Sequence, residues 1–300
     1  MQASRTQARP SPARGGRAGS RPGAGGLRRV SGARVLGPSE VTADVDVSAF
    51  DLPAAPEHET GAAALCLHGL TGTPYEVRPV AEALSKRGIR SKGIWMAGHN
   101  GTVDDLAATH RDEWVDLAGE ALEDLRRRHD RVFLVGVSMG GLTSLRLAQT
   151  AKVDGLVVIG VPLVLAPPVP QLLPLLPLIR LFAKGRAKGV SDLADPEARA
   201  RHPHFPMMPF DAVRELVRLQ GEVIPDLGRI TAPILVAHGE RDKTAAPKDA
   251  TEIHRAVATA DADKELFLLA RSGHVVPVDY DGPALCAAAA DFLCRRARDD

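Results

Sequence analysis

The chain has 300 residues, 44% of them hydrophobic and 25% charged, with a formal net charge of +1. These are the proportions of a globular protein and exclude a wholly disordered or fibrous one. The near-neutral sum hides two unlike parts. Residues 1–35 hold eight arginines and no acid, so 30 of the 38 basic residues face 37 acidic ones over 36–300, a net charge of −7 there.

Residues 1–37 are rich in Arg, Gly, Ser and Pro and lack apolar periodicity. Such a segment buries too little surface to offset its ordering entropy, so a disordered basic tail is expected. It has no apolar core of a secretory signal. No aromatic residues interleave with its arginines, so no nucleic-acid partner is expected. Residues 41–50 alternate apolar and polar, predicting one or two early strands. Strands and helices then alternate: strand 62–67, helix 76–86, strand 93–96. The helix 110–128 follows, with Trp114, Leu117, Ala121, Leu122 and Leu125 on one side. Strand 131–137, helix 139–150 and strand 153–159 come next. Residues 162–228 interrupt the pattern, with one helical stretch over 211–220. Strand 233–238, helix 248–257, strand 265–269 and helix 283–297 complete the chain.

Strands separated by helices of this length predict an α/β fold with a doubly wound, mostly parallel sheet. The runs AALCL, VFLVGV, LVVIG and ILVAH are apolar throughout, as strands buried on both faces must be. The expected core is 38–161 and 229–300, with 162–228 as an insertion. Six prolines within the apolar stretch 161–179 argue against a transmembrane helix. The three cysteines, Cys66, Cys286 and Cys294, do not suit a disulfide framework. They read as reduced thiols, consistent with a cytoplasmic protein.

The chemistry centres on Gly136-Val137-Ser138-Met139-Gly140-Gly141, which fits Gly-x-Ser-x-Gly between a buried strand and a helix. A strand turning directly into a helix strains its serine and leaves room only for glycine on either side, exposing the hydroxyl at the sheet edge. The hydroxyl needs a base, and the base needs a carboxylate to fix its tautomer. In this arrangement the acid and then the histidine follow the serine in the chain. Asp242, in HGERD after strand 233–238, and His274, in SGH after strand 265–269, fill those places. Asp263 precedes its strand and Asp279 follows the histidine, so both fit less well. Two backbone N–H groups should form an oxyanion hole. Met139 supplies one; the loop HGLTGT supplies the other, from Leu70 or, as second choice, Thr71.

The segments HGLTGTP, GVSMGG, HGERD and SGH, in that order over residues 55–298, resemble the α/β-hydrolase family. Within it the chain is most similar to small bacterial carboxylesterases and monoacylglycerol lipases; Gly98-His99 and Trp114 fit that pattern, while Asn100 departs from the Gly often found after Gly-His. The resemblance implies an enzyme with a triad of Ser138, Asp242 and His274, an oxyanion hole at Leu70 and Met139, and no metal or organic cofactor. It also implies a cap at the insertion 162–228. The cap's front (LVLAPPVPQLLPLLPLIRLF) is aliphatic, which suggests an apolar acyl pocket. The expected activity is hydrolysis of apolar acyl esters, monoacylglycerol-like lipids in particular. Thioesterase or acyltransferase chemistry, and binding without catalysis, are the alternatives. His68 and His99 read as structural loop histidines, and His202-Pro203-His204 as no metal pair.

Overall fold

A computed structural model describes residues 45–298 apart from 166–170, 172, 176, 177 and 179–182. The predicted tail, and most of the apolar front of the insertion, lie outside the described residues. The strands are β1 (Phe50–Leu52), β2 (Ala63–Leu67), β3 (Arg90–Gly93), β4 (Val132–Val137), β5 (Gly155–Ile159), β6 (Gly185–Ala187), β7 (Met207–Pro209), β8 (Ile234–Gly239) and β9 (Lys264–Leu269). Seven of them form one sheet in the order β1-β3-β2-β4-β5-β8-β9. β1 runs antiparallel to β3 and every other pair in this sheet is parallel. β6 and β7 form a separate antiparallel pair within the insertion.

The helices are α1 (Arg78–Lys86), α2 (Val103–Ala108), α3 (Arg111–Arg126), α4 (Met139–Ala148), α5 (Pro196–Arg201), α6 (Phe210–Val223), α7 (Lys248–Ala256) and α8 (Gly282–Arg298). They cover both faces of the sheet. Alternating strand residues point to opposite sides. Leu65, Leu134 and Val236 join Trp114, Leu142, Leu219 and Ile253 in one core. Cys66, Val135 and Val157 join Val80, Leu84, Leu285 and Phe292 in the other. β2, β4, β5 and β8 are buried along their whole length, which is why they read as unbroken apolar runs. None of the described helices is long and apolar enough to cross a membrane.

The chain leaves β2 for β3 on one side and returns to β4 on the other. The carboxyl ends of β2 and β4 therefore diverge beside each other, with Leu67 level with Gly136. A reversal of strand order opens the crevice in which ligands of such sheets bind.

Three local expectations need correction. The strand expected over 93–96 is β3, Arg90–Gly93, because its sequence RSKG is polar and gives no apolar run. Leu117 is 37% exposed; the buried row of α3 is Trp114, Ala118, Leu122 and Leu125, at helical spacing. Of the alternating stretch 41–50, only Phe50 joins a described strand, β1.

Candidate active site

Ser138 follows β4 directly and caps α4 with φ 54° and ψ −115°, outside the conformations an ordinary residue prefers. Its N–H donates to Ile159 O at the end of β5, 2.8 Å away, which holds the strained residue in place. A Cβ on Gly136 would strike the backbone of Gly140 and Gly141, and one on Gly140 would strike the Leu67 carbonyl. The motif's glycines are thus required by backbone-to-backbone contact. Met139 is the first residue of α4, so its N–H has no acceptor in its own helix and sits at the positive end of the helix dipole.

Asp242 follows β8 in a tight turn. Its Oδ1 accepts from the N–H groups of Thr244 and Ala245, both at 2.8 Å. Its Oδ2 lies 2.7 Å from His274 Nδ1 and 2.9 Å from His238 Nε2. Burial pushes the Asp242 carboxyl up, but His274 and these hydrogen bonds outweigh it and hold it below the usual carboxylate range. For His274 burial lowers the pKa, while the charge and hydrogen bond of Asp242 raise it further, so the net shift is upward. The bond to Asp242 occupies Nδ1 and leaves Nε2 as the nitrogen free for another partner. His274 also stands against the end of β5, since a Cβ on Gly160 would come 3.4 Å from its Nδ1. Ser138 and His274 therefore abut neighbouring residues at the end of β5, Ser138 at Ile159 and His274 at Gly160.

The loop after β2 closes the other side. A Cβ on Gly69 would come 3.3 Å from Ser138 Cβ. In this loop the Gly69 N–H donates to Glu76 Oε2 (2.8 Å), the Thr71 N–H to His99 Nε2 (3.2 Å) and the Gly72 N–H to Gly69 O (3.1 Å). Between Gly69 and Gly72, Leu70 alone keeps its N–H without an acceptor among the described residues. Of the two donors weighed from the sequence, Thr71 is thus engaged and Leu70 free.

The loop histidines hold backbone. His68 accepts from the Met96 N–H at Nε2, and its Nδ1 lies 2.9 Å from Gly69 O. His99 Nδ1 lies 2.9 Å from Ala97 O. Burial lowers the pKa of both, that of His99 to about 3, so both are neutral. Asp279 accepts from the Gly273, Ala194 and Asp195 N–H groups and braces the His274 loop rather than His274 itself. Asp263 lies in the short helix before β9, at the opposite end of that strand from Asp242. Among the described residues no group of three or more His, Cys, Asp or Glu could hold a metal ion.

Four contributors have no role at the site assigned from the sequence. Glu76 is buried beneath the Gly69 peptide, His202 Nε2 lies 3.3 Å from its Oε1, and His238 shares Asp242. Asp192, from the insertion, accepts at its carbonyl from the His274 N–H (2.8 Å) and at Oδ2 from the Lys243 N–H (2.7 Å) and Thr244 Oγ1 (2.8 Å). Of these only His238, the first residue of HGERD, carries a local signal.

A family model described as serine aminopeptidase, S33, matches residues 58–281. The chain belongs to this family. It is similar to the thermostable monoacylglycerol lipase of Bacillus sp. (strain H-257), at 28% identity over 244 residues, covering 78% of this chain and 90% of the lipase. It is 25% identical over 232 residues to a carboxylesterase of Bacillus subtilis (strain 168), covering 77% and 92%. Among solved structures, one from a study of LipS and LipT, two metagenome-derived lipolytic enzymes, matches with a TM-score of 0.75 at 22% identity, over 83% of this chain and 98% of that one. The monoacylglycerol lipase of Paleococcus ferrophilus matches at 0.69 and 19% identity, over 84% and 100%. The fold is that of the α/β-hydrolases, and this S33-family chain is a serine hydrolase of the lipase and esterase type.

Proposed function

We propose that the protein hydrolyses apolar carboxylic esters, with monoacylglycerol-like lipids as substrates, through an acyl-enzyme on Ser138. The observation that carries this reading is the convergence of Ser138 and His274 on Ile159–Gly160, with His274 Nδ1 tied to Asp242 at 2.7 Å. In the cycle, His274 Nε2 takes the Ser138 proton as Oγ attacks the ester carbonyl. The Leu70 and Met139 N–H groups stabilise the oxyanion. The intermediate collapses, the alcohol leaves with the proton from His274, and the acyl group stays on Oγ. Water, giving a proton to His274, then attacks the acyl-enzyme; collapse releases the acid and returns the proton to Ser138. Asp242 fixes the His274 tautomer throughout.

The lipid preference draws on the names of the two Bacillus relatives and on the insertion. We assign 162–228 as a cap over the site, between core segments 38–161 and 229–300. Val164, Leu175 and Leu178 of this insertion are exposed apolar side chains, a composition suited to an acyl chain.

The test is a panel of p-nitrophenyl esters from acetate to palmitate together with monoacylglycerols, thioesters and amides of matched acyl length. The reading predicts kcat/KM rising beyond acetate and turnover of monoacylglycerols. Hydrolysis confined to acetate would overturn the lipid assignment and leave an esterase. A preference for amides or thioesters would overturn the ester assignment.

A further inference from the structure

The peptide that carries the free Leu70 N–H is clamped on both sides. On one side, Thr71 sits at φ 61°, a conformation that residues branched at Cβ avoid. It persists because each of its polar groups is engaged. Its N–H donates to His99 Nε2 at 3.2 Å, and its carbonyl accepts from the Phe205 N–H at 3.0 Å. Its hydroxyl donates to Leu70 O and accepts from Lys188 Nζ, both at 2.6 Å. On the other side, the Gly69 N–H donates to Glu76 Oε2 at 2.8 Å.

Two of these ties reach in from the insertion, because Lys188 follows β6 and Phe205 precedes β7. A third tie acts through His202, which contacts Glu76 Oε1 at 3.3 Å and Ser191 Oγ at 2.8 Å. The charges suit one another. Burial works to raise the Glu76 pKa, but His202 above all, together with Lys188, holds it at about 2. Burial pulls the Lys188 ammonium down to about 8 against the attraction of Glu76. At neutral pH the pair is thus a carboxylate on the Gly69 N–H and an ammonium on the Thr71 hydroxyl, on either side of the Leu70 N–H. Neither group belongs to the motifs read from the sequence.

We propose that Lys188 is a positioning residue for the oxyanion loop: through Thr71 Oγ1, and opposite Glu76 at Gly69, it keeps the Leu70 N–H aimed at the oxyanion formed at Ser138. The proposal rests on the acyl-enzyme reading given above. An oxyanion exists only in the transition state and the tetrahedral intermediate, so losing its donor lowers kcat and leaves ester binding in place.

The experiment uses the full chain and measures kcat and KM on a p-nitrophenyl ester, the affinity for an alkylboronic acid of matched length, and the thermal midpoint. The variants are Lys188→Met, Lys188→Arg, Thr71→Gly and Thr71→Ser. Lys188→Met is expected to lower kcat about tenfold or more, with KM within about threefold. It should weaken the tetrahedral boronate adduct by the same factor as kcat. Lys188→Arg, which keeps a charged donor, should recover most of the loss. A kcat within twofold of wild type in Lys188→Met overturns the proposal. So does a loss that resides in KM, which would make Lys188 a substrate contact, or a failure of Arg to recover activity. Should Lys188→Met not fold, the Thr71 pair decides. Gly removes the hydroxyl and relieves the backbone, and should lose kcat; Ser keeps the hydroxyl and should retain more. Equal kcat in the two would overturn the proposal. If wild type fails to turn over esters, or Ser138→Ala turns them over equally, the acyl-enzyme reading fails instead.

Discussion

His238 and His274 meet on one carboxylate oxygen, Asp242 Oδ2, at 2.9 and 2.7 Å. With the Thr244 and Ala245 N–H groups on Oδ1, the carboxylate is held from four directions at the end of β8. A buried charge so surrounded is fixed in position and in ionisation state.

His274 works as a base only when neutral, and its pKa is raised above the ordinary 6.5. Activity should therefore rise with pH through a midpoint above 6.5. Asp242→Asn removes the charge that raises the pKa, so it should move the midpoint down and cut kcat roughly 10³- to 10⁴-fold. Full pH–rate profiles of both proteins check this, and an unmoved midpoint would count against the assignment.

Stability should follow the same pair. A raised His274 pKa contributes stability at low pH that is lost as pH climbs through the folded value. A lowered Asp242 pKa contributes stability above the ordinary 3.8 that is lost as pH falls toward the folded value. The pair thus stabilises fully between 3.8 and 6.5, and less as pH climbs from 6.5 through the raised pKa of His274 or falls below 3.8. Urea midpoints from below 3.8 to above 6.5, compared with those of Asp242→Asn, should show the difference narrowing beyond both edges of that window.

His238 has a different weight. It is fully buried, and its Nδ1 has no partner among the described residues. His238→Phe gives up a bond to a charged acceptor but removes that orphan nitrogen. We expect a net loss of about 1–2 kcal/mol by denaturant titration, with kcat reduced far less than in Asp242→Asn. A loss of kcat equal to that of Asp242→Asn would make His238 part of the proton path.

Two glycines should behave oppositely. Gly136→Ala drives a Cβ into the backbone of Gly140 and Gly141. It should cost about 3 kcal/mol and most of the activity together, because the elbow must shift. Gly221 is exposed near the end of α6 with open space around its missing Cβ. Gly221→Ala should stabilise the protein by about 0.5–1 kcal/mol with activity unchanged. Thermal midpoints decide both.

The sequence carried the parts of the site that are local. Ser138, Asp242 and His274 each stand just past a strand, and the strands read as apolar runs because the sheet is covered on both faces. β3 was displaced by three residues because RSKG, flanked by β1 near the sheet edge, offers no such run. The supports were hidden for a different reason. Glu76 and His202 are 126 positions apart and Thr71 and Lys188 are 117 apart. Nothing in the spacing of a single chain brings them together. The β6–β7 pair is three residues long on each side, too short for alternation to register. The insertion read as a greasy cap, yet its stretch from Lys188 to Phe205 bonds to both the oxyanion loop and the His274 loop. Deleting 165–205 would dismantle those loops along with any acyl site.

An acyl group carried on Ser138 requires that this serine be the one residue a fluorophosphonate modifies. Mass spectrometry of the full chain after such treatment, with peptide mapping and Ser138→Ala in parallel, decides it. One adduct per chain is expected, on Ser138, formed at the rate at which esterase activity is lost, with neither adduct nor turnover in Ser138→Ala. An adduct on another residue, or ester hydrolysis retained by Ser138→Ala, would rule out the acyl-enzyme.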